Sequence, residues 1–448
     1  MDTHSDDTHG GNPSTDHDSM VELEGDIDPE LTIPDGSRIL VISNDQSYLT
    51  HAIHKFPAKF FPELPRYLIR RYSDSMETVL DPMCGSGTVI LEAMVNQRRA
   101  IGIDIDPIAQ LVTRVKTVPL NPLKLRQAAD TLMTEVNDRF ESGYQPPIPE
   151  FNYRDSWFKS HVLNELGIIL ECIREPGIWA RDIGADTRGS VLDFLLVVFS
   201  SIIRGVSNAD PHCTRTVIRK NKVRDIGRGE TLNDFSEALA TQMTAMGEFW
   251  SLCKKINPPS PVVPHGTAIE TGLEYQSIDL AVTSPPYINA VDYPRTHQLE
   301  MYWLGMVPEG PLADMKREYI GTETVYKENY QHLHVSNLDK LDPLLESIFE
   351  VDPRRSYIVY KFFEDMEAQF REMHRVLRPG ARYCVVIGNN VIRGHEIPSQ
   401  DILAEIAVER VGFRLETQFF SGLIRHFIKI PRPERMGGEW VLIFRKPA

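Results

Sequence analysis

The stretch VLDPMCGSGTVILEAMVNQRRAIGIDIDP, residues 79–107, decides the fold. It begins at the end of an apolar run typical of a buried strand, and Gly85-Ser86-Gly87 then allow a tight turn. Residues 88–96 have the apolar spacing of a helix, and residues 100–105 favour a second strand. A strand, turn, helix and strand in this order form a right-handed parallel crossover. The sequence therefore predicts an α/β protein with a Rossmann-like, doubly wound sheet.

The glycine turn is also a candidate ligand site. Glycine lets a ligand approach the backbone, and the start of the following helix offers free N–H groups to an anionic group. At the end of the second strand, Asp104 is placed to accept hydrogen bonds from ribose hydroxyls. The pattern is DPxxGSGT, which lacks the three glycines of the dinucleotide fingerprint. The turn therefore does not predict a dinucleotide site.

A second stretch, TSPPYINAVDY at residues 283–293, follows the mostly apolar run 278–282. Proline has no N–H and a fixed φ, so the Pro285-Pro286 corner can hold a backbone carbonyl toward a substrate amine without a competing donor. Ser284 offers an acceptor oxygen beside it, and Tyr287 offers a flat ring. A turn with a buried tyrosine is the ordinary structural explanation of the same four residues.

Together, DPxxGSGT, the following GxDxxP and S-P-P-Y resemble the motifs of class I, S-adenosylmethionine-dependent DNA amino-methyltransferases. The resemblance covers about residues 51–120 and 262–445. It implies direct methyl transfer without a covalent intermediate or a metal, so Cys84 is a loop residue. Lys59 and Phe60, in HAIHKFPAKFFP, are expected to contact the methionine end of the cofactor. The other implied cofactor contacts are Asp81, Pro82, Gly85, Ser86, Gly87, Thr88 and Asp104, and the implied catalytic residues are Ser284, Pro285, Pro286 and Tyr287.

The resemblance also implies the substrate. Within this family the serine form of the motif leans toward cytosine N4, whereas aspartate or asparagine leans toward adenine N6. The target base would be flipped out of double-stranded DNA at a specific sequence and would stack on Tyr287, which is worth roughly 1–3 kcal/mol. Three alternatives remain open: an adenine-N6 DNA methyltransferase, an RNA guanine-N2 methyltransferase, and a DNA-binding regulator that keeps the fold without turnover.

Residues 121–258 predict a large helical insertion between the two parts of the catalytic domain, 38–120 and 259–448. The insertion is a candidate target-recognition region because it contains the basic loop TRTVIRKNKVRDIGRG, residues 214–229. A solvated loop is the ordinary explanation of such a run. Residues 262–269 predict a third strand. The candidate DNA contacts are Arg215, Arg219, Lys220, Lys222, Arg224 and Arg228 in the loop, and Asn289, Tyr293 and Arg295 after the proline corner.

Charge and composition bound the remaining possibilities. Residues 1–37 contain eleven acidic residues and no lysine or arginine, so this head supplies most of the formal charge of −15 and is predicted to be a disordered acidic tail. The five cysteines lack metal-site or disulfide spacing, and no run of about 18–20 apolar residues or signal peptide is present. We therefore expect a protein of the prokaryotic cytosol, associated with the nucleoid, with a cognate restriction endonuclease as a candidate partner.

Overall fold

The computed structural model describes residues 20–43, 45–181, 183–211, 213–219, 225–288, 291–307, 312–422 and 437–448. Four of the predicted DNA contacts, Lys220, Lys222, Arg224 and Asn289, lie outside these residues. The strands are β1 (Val21–Glu24), β2 (Arg38–Ile42), β3 (Thr78–Asp81), β4 (Arg99–Gly102), β5 (Ile278–Thr283), β6 (Leu377–Ile387), β7 (Asn390–Ile392), β8 (His395–Ile397), β9 (Arg414–Gly422) and β10 (Gly438–Arg445).

Within the described chain, one sheet has eight strands in the order β1-β2-β9-β10-β6-β5-β3-β4, and β7 and β8 form a separate antiparallel ribbon. In the large sheet, β10 runs antiparallel to β6 and β9, and the other pairs are parallel. The strand order reverses between β3 and β5, so the carboxyl ends of these strands border the crevice in which doubly wound sheets bind ligands. The predicted fold class is confirmed.

The helices cover both faces of the sheet and fill the predicted insertion. Their bounds are α1 (Glu63–Tyr72), α2 (Thr88–Val95), α3 (Pro107–Thr117), α4 (Pro122–Glu141), α5 (Arg154–Trp157), α6 (Ser160–Arg174), α7 (Pro176–Trp179), α8 (Ala185–Ile203), α9 (Glu230–Ile256), α10 (Tyr293–Thr296), α11 (Gln298–Leu304), α12 (Leu312–Arg317), α13 (Asp342–Val351), α14 (Pro353–Val376) and α15 (Ser399–Glu405). A 3-10 helix (Lys327–Tyr330) and a π-helix (Ile406–Val411) complete the set of described helical elements.

Three apolar clusters position these layers. One packs α1 and α2 on one face of the sheet, and a second packs α13, α14 and α15 on the other face. The third joins the helices of the insertion to α3 and α11. Trp303 on α11 is the largest buried side chain of this third cluster and makes edge contacts with Phe158 and Phe199 of the insertion. The insertion is therefore anchored on the helix that follows the proline corner.

The chain near the N-terminus differs from the predicted disordered tail. In residues 20–37, β1 pairs in parallel with β2, and Ile27 and Ile33 are buried beside α1. Two of the acidic side chains have basic partners on α1, since Asp26 forms ion pairs with Arg66 at 3.2 Å and Arg70 at 2.7 Å, and Glu30 lies 3.8 Å from Arg71. The prediction is wrong for this segment because its few apolar residues and its carboxylates are complemented by a helix that lies later in the chain.

The predicted third strand also differs. From residues 262–269 only Val262 joins the sheet, as an isolated parallel bridge to Ile101 of β4. Pro261 and Pro264 flank this bridge, and proline cannot donate to a strand ladder. The segment therefore leaves the sheet edge at once and continues into the turn at 267–270. None of the helices in the described ranges has the length and apolar content needed to cross a membrane.

Candidate active site

A cavity of about 430 Å³ opens at the carboxyl ends of β3, β4 and β5. It lies at the switch in strand order, where this fold places its ligands. Its wall brings together residues from both predicted motifs and from the segment before α1. The predicted residues in the wall are Lys59, Phe60, Asp81, Pro82, Gly85, Ser86, Thr88, Asp104, Ser284, Pro286 and Tyr293.

The glycine turn forms one side of the cavity. Gly85 and Gly87 have φ values of +48° and +73°, which other residues adopt only with strain. Gly87 caps α2 and stands outside the wall, where a Cβ would lie 2.7 Å from Oγ1 of Thr113. The same Thr113 hydroxyl donates to the Gly85 carbonyl at 3.0 Å. The two glycines therefore have different roles, because Gly85 faces the ligand side and Gly87 lets α3 approach the turn.

Two carboxyl groups, the buried Asp81 and the half-buried Asp104, connect the turn to its neighbours. Oδ1 of Asp81 accepts hydrogen bonds from the Met83 amide at 3.1 Å and from Oγ1 of Thr283, the last residue of β5, at 2.7 Å. Oδ2 of Asp104 accepts from the Gly85 amide at 2.7 Å. Burial raises the pKa of each group to about 7. The Asp81 bond thus fixes the cofactor turn to the strand that carries the proline corner.

The segment before α1 covers the turn. The ring of Phe56 stacks on Tyr293 at 5.9 Å between centroids, and a Cβ on Gly85 would lie only 3.3 Å from this ring. The Lys59 ammonium donates to the His51 carbonyl, and burial lowers the pKa of Lys59 to about 8. The sequence analysis selected Lys59 and Phe60 but missed Phe56, which occupies the wall four residues earlier than Phe60. The aromatic and proline content of HKFPAKFFP is the signal that indicates this side chain.

The proline corner contributes two residues to the wall and directs a third away from it. Ser284 and Pro286 line the cavity, whereas Pro285 is buried. Tyr287 is outside the wall, and its phenol donates a hydrogen bond to the carboxylate of Glu439 on β10. The Gly321 backbone packs against the corner, since a Cβ there would lie 3.2 Å from the Tyr287 carbonyl oxygen.

A segment that the sequence analysis missed closes the cavity beside this corner. Residues 317–320 contribute to the wall, and Tyr319 is buried there. The segment has no motif of its own, and it reaches the cavity because Gly321 permits the close contact with the corner at a φ of +77°. These residues were not predictable from local pattern.

An Asp106–His297 pair links the cofactor side to the segment after the corner. Asp106 caps α3 by accepting from the Ile108 amide at 2.8 Å, and its second oxygen lies 3.3 Å from Nδ1 of His297. Burial disfavours charge on His297, but the Asp106 carboxylate outweighs it and raises the His297 pKa. The histidine ring also contacts Phe56 at 4.8 Å between centroids. Sequence reasoning missed this pair because the two residues are 191 positions apart.

The described part of the basic loop lies beside the same segment. Oγ1 of Thr216 donates to the Thr296 carbonyl at 2.8 Å, and Arg215 pairs with Glu323 at 3.1 Å. Arg295 lines an adjacent open groove of about 420 Å³ together with Thr216 and other residues. Arg219 is half-buried, and Arg228 lies over the Phe140 ring at 5.1 Å. The described part of the loop and the segment after the corner therefore share one surface.

The wall fits S-adenosylmethionine, the cofactor that the sequence resemblance implies. Asp104 supplies an acceptor for ribose hydroxyls, and the Thr88 hydroxyl is buried in the wall with no hydrogen-bond partner among the residues that the structure describes. Apolar surface comes from Ile105 and Pro286. In the described ranges, no group of three or more histidine, cysteine, aspartate or glutamate side chains is placed to hold a metal ion.

Comparisons with known proteins agree with this site. The family model described as DNA methylase matches residues 37–112, which contain the glycine turn and Asp104. The Type II methyltransferase M.MvaI of Kocuria varians is 24% identical over 390 residues, covering 82% of each chain. The Type II methyltransferase M.BsoBI of Geobacillus stearothermophilus is 25% identical over 423 residues, covering 82% of this chain and 80% of the relative.

Similarity to solved structures is weaker. The match to a SAM-dependent methyltransferase from Methanosarcina mazei covers 85% of this chain and 97% of that chain, at 11% identity and a TM-score of 0.29. The family model and the two relatives, which align over most of their own length, agree with the motifs that line the cavity. The family model and the Type II methyltransferase relatives therefore support an S-adenosylmethionine-dependent DNA amino-methyltransferase family for this chain.

Proposed function

We propose that this protein methylates cytosine N4 at a specific sequence of double-stranded DNA. The observation that carries the proposal is that Ser284 and Pro286 line the same cavity as Gly85 and Asp104. A methyl donor held at the turn and an amine held at the corner would then face each other within one cavity, as a direct transfer requires. Serine at the first position of the corner favours cytosine over adenine, in line with the family tendency.

The residues of the wall suit this reaction. Bound S-adenosylmethionine supplies an electrophilic methyl group. The amine of a base is a poor nucleophile because its lone pair is delocalised into the ring, so acceptors at its hydrogens are needed to orient it. Ser284 and the carbonyls of the proline corner are candidates for these acceptors, since neither Pro285 nor Pro286 has a competing N–H. Phe56 and Tyr319 would restrict water in the cavity.

The surface beside the cavity supports DNA as the substrate. The base must leave the duplex to reach Ser284, and the groove that contains Arg295 and Lys316 adjoins this region. The Thr216 contact with Thr296 keeps the insertion beside the groove. We propose that the insertion reads the target sequence and that Arg215, Arg219, Arg228, Tyr293 and Arg295 contact DNA.

The relatives are Type II methyltransferases, which suggests a role in restriction and modification. Accordingly, we propose that the protein protects DNA from a restriction endonuclease that recognises the same sequence. The endonuclease itself is a proposed partner. Challenging methylated and unmethylated plasmids with restriction enzymes of known specificity would identify the protected sequence.

The target base can be tested by expressing the protein in a host without DNA methylation and analysing digested DNA by mass spectrometry. We expect N4-methylcytosine from the wild type and a large loss with Ser284→Ala, while S-adenosylmethionine binding persists. Ser277→Ala is the matched control, because Ser277 is a half-buried serine just before the opposite end of β5, where its hydroxyl donates to the Glu274 carbonyl and stands outside the cavity wall. N6-methyladenine would refute the cytosine assignment. Methylation of transfer RNA without methylation of DNA would favour the RNA alternative.

A further inference from the structure

Two consecutive basic residues at the end of α12 line different spaces. Lys316 lines the open groove of about 420 Å³ that also contains Arg295, whereas Arg317 lines the active-site cavity. A small cavity of about 20 Å³ adjoins both, because it shares Lys316 with the groove and Tyr293 and Tyr319 with the active-site cavity. The end of α12 therefore borders the way from the groove to the active-site cavity.

Arg317 is oriented by an aromatic ring. Its guanidinium lies over Tyr326 at 3.8 Å from the ring centroid, and it pairs with the exposed carboxylate of Asp314. Its Nε is buried and has no hydrogen-bond partner within the described ranges. Stacking fixes the plane of the N–H donors, and an ion pair with an exposed carboxylate is weak because water screens it. Arg317 can thus offer donors to an anion without a large rearrangement.

Lys316 is held by the segment that follows the proline corner. Its ammonium donates to Oδ2 of Asp292 at 2.8 Å, and both side chains are half-buried. The other oxygen of Asp292 accepts from the Arg295 amide at 3.1 Å and caps α10. An ammonium has three N–H donors, so the bond to Asp292 leaves two for a further acceptor. Lys316 can therefore bind an anion in the groove while it stays attached to this segment.

The passage of a flipped nucleotide requires cations at such a place. A base that leaves the duplex to reach Ser284 stays joined to its two flanking phosphates, which remain near the opening of the cavity. Glu318, the residue after Arg317, is exposed and belongs to the same wall, so the end of α12 lies at this opening. Each phosphate carries a negative charge that lysine or arginine can neutralise. Without such cations, Glu318 would repel the strand.

We propose that Lys316 and Arg317 bind the two phosphates that flank the flipped nucleotide and so hold its base at Ser284. The inference rests on the proposed function. Arg317 binds one phosphate at the opening of the cavity, with its guanidinium oriented by Tyr326, and Lys316 binds the other phosphate on the groove side. Neither side chain touches the reacting atoms, so both are positioning residues. They act on every target sequence alike, because a phosphate contact carries no base information.

The test measures the dissociation constant of a duplex that carries the methylated sequence, with S-adenosylhomocysteine as the cofactor so that no turnover occurs. Two further duplexes carry an uncharged methylphosphonate in place of the phosphate before or after the target nucleotide. We expect each replacement to weaken wild-type binding about tenfold, because a charge-assisted contact is lost. Arg317→Gln and Lys316→Gln should each bind the native duplex more weakly, and each should be insensitive to the methylphosphonate at the phosphate that it contacts.

Matched variants separate these contacts from a general loss of charge or stability. Arg371→Gln makes the same change at an exposed ion pair with Glu367 on α14, outside the cavity and the groove, and it should keep the wild-type sensitivity to both methylphosphonates. Tyr326→Phe keeps the ring beside Arg317 and should match the wild type, whereas Tyr326→Ala should lose part of the sensitivity. Thermal midpoints should be similar in all variants.

The outcomes distinguish the phosphate contacts from the proposed function. Full sensitivity of both Arg317→Gln and Lys316→Gln at both positions, or a wild type that is insensitive at both, would overturn the inference. A loss of cofactor affinity in Arg317→Gln with unchanged sensitivity to the methylphosphonates would also overturn it and would assign Arg317 to the cofactor. A wild type that methylates no exocyclic amine in DNA would instead overturn the proposed function.

Discussion

Substituting Gly87 by alanine tests whether the cofactor turn depends on close packing as well as on backbone freedom. The new Cβ would have to adopt a φ of +73° and would lie 2.7 Å from Oγ1 and 2.8 Å from Cγ2 of Thr113. Thr113 is fully buried on α3 and donates to the Gly85 carbonyl, so it has little room to move. Either the turn or α3 must shift.

The free-energy cost of the left-handed backbone conformation and the cost of the close contact with Thr113 can be estimated separately. A left-handed conformation costs a residue with a Cβ about 1–2 kcal/mol, and overpacking a tight interior typically costs a further 1–3 kcal/mol. Gly143 provides the matched control, since its φ is +72° and a Cβ there meets nothing within 4 Å. Gly143→Ala should therefore show the backbone cost alone. Gly87→Ala should be less stable than Gly143→Ala by about 1–3 kcal/mol.

Unfolding free energies of both variants, from denaturant titrations without cofactor, would measure this difference. Calorimetric titration with S-adenosylmethionine would show whether the shifted turn also weakens cofactor binding, with each tenfold loss equal to about 1.4 kcal/mol. The double variant Gly87→Ala with Thr113→Ala should recover the packing part of the cost and keep the backbone part. Equal stabilities of Gly87→Ala and Gly143→Ala would refute the claim that Thr113 limits this position.

Three further predictions concern charged groups. Because the pKa of Asp104 is about 7 and its ionised form is the better acceptor for ribose, cofactor affinity should rise between pH 6 and pH 8 in calorimetric titrations, and Asp104→Asn should weaken binding and flatten this dependence. Glu92 is fully buried and bonds His51 at 2.9 Å and Arg66 at 2.8 Å, so Glu92→Ala should lower the unfolding free energy by about 3–5 kcal/mol, whereas the exposed Glu237→Ala should change it little. If Arg219 contacts a phosphate, Arg219→Ala should reduce the salt slope of DNA binding by about 0.9, and an unchanged slope would exclude that contact.

Local sequence determined much of the fold. The glycine turn predicted the crossover from β3 through α2 to β4, and the helical pattern of residues 121–258 predicted the insertion that contains the long helices α4, α6, α8 and α9. These elements follow from residue-level physics, because side-chain periodicity and backbone φ preferences act within a few positions. The resemblance of the two motifs to a methyltransferase family indicated eleven residues that line the cavity, and the motifs meet there because both end strands whose carboxyl ends lie at one edge of the sheet.

Contacts between distant parts of the chain were decided only by the tertiary structure. The Glu439 partner of Tyr287, the His297 partner of Asp106 and the closing segment 317–320 have no local signal, because each depends on which strands and helices become neighbours. The same dependence explains why β1 is an ordered strand, since arginines of α1 pair with an acidic side chain beside it. It also explains why residues 262–269 contribute only an isolated bridge to the sheet instead of the predicted third strand. The residue types at a site follow from short-range chemistry, whereas their partners follow from strand order and the docking of the insertion, which no short window of sequence contains.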